Sequence, residues 1–253
     1  MIVLIDVGNT AVKVASCAEG DVQPIFRARH RERGLTAVAV ELLAVAAPPT
    51  EVWLASVLSR SDTQVLRDRL QTAWACRWHH VETASAHCGV EIAYAEPDRL
   101  GVDRWLALIA AHAAYPGDKV IADLGSALTV DVLRADGKHL GGIIVPGFEA
   151  ILRGLNAGTA LGPVQPAQPN APMLGVDTDS GIASGAMLAL AGAVEGSVRL
   201  ARERHGLSPQ LLITGGDAEN LAKAVASPSM LDEHLVMRGL ALLSASGSAP
   251  ASD

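Results

Sequence analysis

Cysteine, aromatic residues and positive charge are all scarce in this 253-residue chain. The three cysteines, Cys17, Cys76 and Cys88, form no C-x-x-C pair, which argues against a secreted disulfide scaffold. Aromatics make up 3% of the residues while 49% are hydrophobic, so Ala, Val and Leu must fill the core. That composition suits an α/β protein whose sheets are covered by helices. Lys and Arg total 20 against 27 Asp and Glu, a net charge of −7, so nothing attracts a polyanion in bulk and no nucleic-acid partner is expected. No basic segment followed by an apolar stretch opens the chain, and no apolar run reads as long enough to span a membrane. The expectation is a cytoplasmic protein in a reducing compartment, without a membrane partner.

The chain has two halves with one outline. Residues 2–7 (IVLIDV) are apolar and β-branched and stop at Gly8-Asn9, a strand and a turn. Strands over 11–17 and 22–28 follow, then a helix over 35–46, a strand over 51–55 and a helix to about Trp74 that Ser61-Asp62 would cap. A helix over 101–115 ends at Pro116-Gly117. The opening grammar then returns in the strands 119–124, 128–133 and 139–145. Helices are expected at 147–157 and 178–204, and a strand at 211–214. The reading is two similar domains with a nucleotide cleft between them: 1–115, 116–245, and a disordered tail over 246–253. Pro163, Pro166, Pro169 and Pro172 mark an extended loop within the second half.

The chemistry concentrates where the first strand of each half ends. Asp6 would turn its carboxylate toward a cleft and hold a metal ion or its waters. Gly8 lets the backbone approach a phosphate, Asn9 and Thr10 add short side-chain donors, and Lys13 offers a point charge. Taken alone, Gly-Asn is also an ordinary hairpin turn. A second copy, Asp123-Leu124-Gly125-Ser126, repeats Asp-x-Gly and a hydroxyl at a strand end. Two such turns could surround a triphosphate and its cation. Gly215-Gly216-Asp217 follows another short strand and reads either as a nucleotide contact or as a plain strand-to-helix turn. Asp103, in the first turn of a helix, would stay ionised and could accept a hydroxyl proton during attack on a γ-phosphate. Arg104 beside it could pair with a substrate carboxylate, or be an ordinary surface residue.

DVGNTAVK, GVDR, DLGSALTVD and GGIIVPG occur here in the order they have in type III pantothenate kinases, the Bvg accessory factor family, and the chain resembles that family from Met1 to about Ser244. The resemblance implies two actin-like (ribonuclease H-like) domains with mixed sheets flanked by helices. It implies ATP-dependent phosphorylation of pantothenate to 4′-phosphopantothenate, the first step of coenzyme A biosynthesis. It also implies a homodimer that needs Mg²⁺ and a monovalent cation, K⁺ or NH₄⁺. By motif, Asp6, Val7, Gly8, Asn9, Thr10, Ala11, Val12 and Lys13 would form the first ATP loop, with Asp6 on Mg²⁺ directly or through water. Gly101, Val102, Asp103 and Arg104 would contact pantothenate, with Asp103 as proton acceptor. Asp123 would bind the monovalent cation and Ser126 would contact ATP where the family usually carries Thr. Tyr94 would line the pantothenate pocket, although a strand tyrosine with a solvent-facing hydroxyl is the plainer alternative. Thr178 would reach the neighbouring subunit's pantothenate, or else simply cap a helix.

Cys76, His79, His80, His87 and Cys88 cluster in sequence but fit no zinc spacing. Arg27, Arg29, His30, Arg31 and Arg33 read as a solvated basic turn. Two other functions stay open: a regulatory protein of the Bvg accessory factor type, and a related kinase acting on another small hydroxyl substrate.

Overall fold

The computed structural model describes residues 1–158 and 174–247, so the proline-marked loop and residues 248–253 of the expected tail lie outside the described residues. The chain divides into two compact units, Met1–Ala114 with His234–Asp253, and Tyr115–Glu233.

In the first unit, β1 (Ile2–Val7), β2 (Ala11–Ala18) and β3 (Asp21–Arg29) form an antiparallel meander. Glu19 and Gly20 join β2 to β3 with φ of 53° and 85°, the left-handed pair that a two-residue hairpin requires. Next come α1 (Leu35–Val45), β4 (Glu51–Ser56), α2 (Arg60–Ala73) and β5 (Arg77–Val81). The strands β4 and β5 extend the sheet in parallel, giving the order β3-β2-β1-β4-β5. Side chains alternate along β1. Val3, Ile5 and Val7 pack with Val38 and Leu42 of α1 and Leu66 and Leu70 of α2, while Leu4 and Asp6 face the other way. Each fully buried Leu or Val there contributes about 1.5–3 kcal/mol. The cap of α2 is Ser59, whose hydroxyl accepts the Asp62 N–H at 3.1 Å, two residues before the expected Ser61.

A short hairpin of β6 (Ala86–His87) and β7 (Val90–Glu91) and a 3-10 turn at Pro97–Arg99 lead into α3 (Val102–Ala114). The unit closes with α7 (Leu235–Ser246), which packs along α3. Gly239 makes that packing close: a Cβ there would stand 2.7 Å from the Leu106 carbonyl carbon. The division expected at 116–245 therefore differs from the compact units in its last helix. The apolar face of α7, with Leu235, Leu240 and Leu243 fully buried, joins it to the first unit.

The second unit repeats the plan. In it, β8 (Lys119–Leu124), β9 (Ala127–Leu133) and β10 (His139–Pro146) form an antiparallel meander. They are followed by α4 (Phe148–Gly158), α5 (Thr178–His205), β11 (Gln210–Thr214), α6 (Ala218–Ala224) and β12 (Ser229–Leu231). The sheet order β10-β9-β8-β11-β12 is the first unit's order over again. Its core joins Val120, Ala122 and Leu124 of β8 to Leu190, Val194 and Val198 of α5.

Helix α5 corrects one sequence expectation. By length and composition alone it is apolar enough to cross a membrane, although interspersed Gly and Ser keep its Ala, Leu and Val from reading as one apolar run. In the fold, its Leu190, Ala191, Val194 and Val198 are core residues of the second unit.

Candidate active site

The first turn joins β1 to β2. The Gly8 N–H donates to Ala11 O at 3.0 Å, closing the hairpin, and the antiparallel register sets Asp6 opposite Lys13. Asp6 is 5% exposed, and the Lys13 ammonium stands 3.9 Å from its Oδ2. Within the segment Asp6–Lys13, the side chains of Val7 and Val12 are fully buried, so those two residues could serve a ligand only through their backbone. Asn9 is exposed and Thr10 half-buried.

His30 braces this turn from the side. Its amide donates to Thr10 O at 3.0 Å, and its ring Nε2 lies 2.8 Å from Gly8 O. A carbonyl only accepts, so Nε2 carries the proton. His30 belongs to a stretch whose sequence reads as a solvated basic turn, yet it is only 8% exposed. The reason is a bulge in β3: Ala15 pairs with Pro24 but Val14 with Phe26, leaving Ile25 as the extra residue. Without that bulge Arg29 would face Thr10. Proline's missing N–H beside it was the available signal.

The same unit holds Gly101–Arg104 and Tyr94. The Thr83 hydroxyl donates to Leu100 O at 2.8 Å, fixing the entry to α3. Asp103 Oδ1 accepts the Arg104 N–H at 2.7 Å in the first turn of that helix, where the dipole favours the ionised carboxylate. A Cβ on Gly101 would stand 2.6 Å from that same Oδ1, so only glycine leaves the carboxylate its place. Val102 is a core residue. Arg104 is 6% exposed, contrary to the surface alternative, and donates to the Tyr94 hydroxyl at 3.1 Å with its guanidinium carbon 5.7 Å from the ring centroid. Tyr94 lies in the irregular stretch after β7 rather than in a strand, and its hydroxyl is engaged by Arg104.

In the second unit the turn between β8 and β9 is one residue tighter: the Gly125 N–H donates to Ala127 O at 2.9 Å, and Asp123 faces Thr129. Two glycine segments close on it. The Gly147 N–H donates to Ser126 O at 3.1 Å, and a Cβ at Gly147 would stand 2.8 Å from that oxygen. Gly215, at φ 105°, touches the turn so closely that a Cβ would stand 2.5 Å from Asp123 Oδ1 and overlap Leu124 O. The Asp217 N–H donates to Leu124 O at 3.0 Å. Asp123, Ser126, Gly147, Gly215 and Asp217 thus converge on one end of the sheet. Asp217 stands at the N-cap position of α6, with no side-chain cap bond. Ser126 is exposed.

Thr178 is the first residue of α5 and is exposed; the cap itself is Asp177, which accepts the Ser180 N–H at 2.8 Å in a capping box. That backbone N–H, with the Ser180 hydroxyl, holds the Asp177 carboxyl below its ordinary pKa.

The donor sets fit hard cations. Among the described residues no group of three or more His, Cys, Asp or Glu could hold a metal by itself. A lone strand-end carboxylate such as Asp6 suits Mg²⁺, which keeps its waters and takes most other ligands from phosphates. Asp123 Oδ1 and Leu124 O, both packed against Gly215, form an all-oxygen pair.

Two α/β units with the same strand order, each carrying an Asp-x-Gly turn on its first hairpin, give the chain a duplicated, actin-like architecture. Two solved structures share the fold: a protein from Campylobacter jejuni described as a conserved Baf family transcriptional activator (TM-score 0.58, 19% identity, 97% of this chain and 98% of that one), and the ethanolamine utilization protein EutJ from Carboxydothermus hydrogenoformans (TM-score 0.56, 14% identity, 95% and 88%). The family model for type III pantothenate kinase matches residues 2–200. The type III pantothenate kinase of Chromobacterium violaceum is 37% identical over 247 residues, covering 95% of this chain and 98% of its own. That of Thiobacillus denitrificans is 37% identical over 247 residues, covering 97% of each. The chain belongs to the type III pantothenate kinase family.

Proposed function

We propose that this protein transfers the γ-phosphoryl group of ATP to the primary hydroxyl of pantothenate, giving ADP and 4′-phosphopantothenate. Membership of the family carries the reading. The reaction forms a bond between the pantothenate oxygen and the γ-phosphorus and breaks the bond from that phosphorus to the β-γ bridging oxygen. Asp103, ionised at the start of α3, takes the hydroxyl proton. Arg104, buried and steadied by Tyr94, pairs with the pantothenate carboxylate. Nucleotide phosphates are held by Asp6 to Lys13 in the first unit and by Ser126 in the second.

Bound Mg²⁺ offsets phosphate charge; Asp6 would hold it, directly or through water. A monovalent cation, K⁺ or NH₄⁺, would sit at Asp123. Most of the rate enhancement comes from positioning and electrostatics. The protein works as a cytoplasmic homodimer in which Thr178 serves the partner's pantothenate. A regulatory role is not favoured: the likeness to the Baf family activator is one of fold alone.

An ADP-release assay across small hydroxyl acceptors tests the acceptor. Turnover with pantothenate far above the other alcohols supports the reading. Comparable turnover with a different acceptor, and none with pantothenate, would mean a related kinase with another substrate.

A further inference from the structure

We infer that His30 is a positioning residue for nucleotide binding: it locks the Gly8–Asn9 peptide so that the Asn9 N–H is presented to phosphate. The inference rests on the first turn being the nucleotide turn.

His30 has no freedom to do otherwise. Its amide donates to Thr10 O at 3.0 Å and its carbonyl accepts the Gly34 N–H at 2.8 Å, so the backbone is fixed on both sides. His30 is 8% exposed and its ring Nε2 lies 2.8 Å from Gly8 O. In a trans peptide the C=O of one residue and the N–H of the next point in opposite directions. No cis peptide occurs among the described residues. A Gly8 carbonyl held toward His30 therefore aims the Asn9 N–H away from it. The Thr10 carbonyl, held by the His30 amide, aims the Ala11 N–H in the same manner. Without the imidazole donor, the Gly8–Asn9 peptide could flip and offer a carbonyl lone pair to an anion. A glycine permits that flip at little steric cost. His30 touches neither substrate nor reacting atoms; it acts through the turn.

The test compares His30→Leu, which keeps bulk and removes the donor, with His30→Gln, which keeps an N–H donor. Affinity for Mg²⁺ with a non-hydrolysable ATP analogue is measured by calorimetry, beside KM for each substrate and the melting temperature. His30→Leu is expected to weaken nucleotide binding and raise KM for ATP about tenfold, the effect of one lost hydrogen bond. KM for pantothenate should stay within about twofold, and His30→Gln should recover most of the nucleotide affinity. Wild-type affinity in the Leu variant overturns the inference. So does equal impairment of both variants, or a parallel rise in KM for both substrates. Wild-type protein that binds the analogue but phosphorylates no pantothenate removes the acceptor assignment and leaves the His30 comparison intact. Wild-type protein that binds no nucleotide overturns both.

Discussion

The two Asp-x-Gly turns sit at the same place in two sheets of the same strand order, yet they are braced by different means. The first is held by a side chain, the His30 imidazole on Gly8 O, and leaves room around its glycine: a Cβ on Gly8 would meet nothing nearer than Ala11 O at 3.5 Å. The second is held by backbone, with Gly147 and Gly215 pressed against Ser126, Asp123 and Leu124. A duplicated fold thus fixes strand order and the place of the acid, while the bracing of each turn is local. Side-chain bracing can be removed without steric conflict; backbone bracing cannot.

Neither turn carries Asp103, the proposed proton acceptor, so substitution there separates binding from chemistry. Asp103→Asn should lower kcat by about 10²–10⁴-fold while nucleotide affinity by calorimetry stays near wild type. Equal loss of both would tie Asp103 to the turns instead. Gly215→Ala comes next, because a methyl must displace the Leu124 backbone at a left-handed φ. About 2–4 kcal/mol of stability should disappear in denaturant unfolding, with Asp123 disturbed along with it.

Glu195 tests whether the second unit depends on braces far from its turn. Its carboxylate accepts the Ser227 hydroxyl at 2.7 Å and the Ser227 and Ala226 amides at 2.7 and 2.8 Å. Desolvation pushes its pKa up, but those hydrogen bonds and Arg202 outweigh it and leave the net value lowered. Glu195→Gln should cost about 1–3 kcal/mol at neutral pH. A group with a lowered folded pKa stabilises above its unfolded pKa and loses that contribution as pH falls through the folded value. The gap between wild type and variant should therefore close below the usual glutamate range, in melting curves recorded against pH.

Gly8→Ala should reverse the pattern of Gly215→Ala. Its stability should lie within about 0.5 kcal/mol of wild type, yet nucleotide affinity should drop about tenfold as the methyl enters phosphate space. The smallest effect is Ser126→Thr, which keeps the hydroxyl and adds only a methyl on an exposed site. KM for ATP should move by less than about twofold.

The repeated succession of strands, turns and helices was legible because β-branched runs, Asp-x-Gly turns and hairpin spacing are local signals, while the order of the strands across each sheet was not. The place of Lys13 on the strand after the first turn was legible as well, while its pairing with Asp6 came only with the register of β2 on β1. His30 was not, because the bulge at Ile25 shifts the register by one residue only when β2 and β3 meet. The membership of α7 was equally hidden, since Leu235–Ser246 finds its partner α3 more than a hundred residues away. Gly147 and Gly215 could be seen as turn glycines, but their closeness to Asp123 and Ser126 depends on β10 and β11 lying in one sheet with β8 and β9. The burial of Arg104 was hidden too, because its partner Tyr94 lies in a stretch without regular structure.

The most direct test of the account is calorimetric titration of a non-hydrolysable ATP analogue with Mg²⁺ into wild type, Gly8→Ala and Ser126→Ala. Nucleotide affinity is predicted to weaken with each change taken separately. An affinity that one of the two changes leaves untouched would contradict the proposed role of that turn.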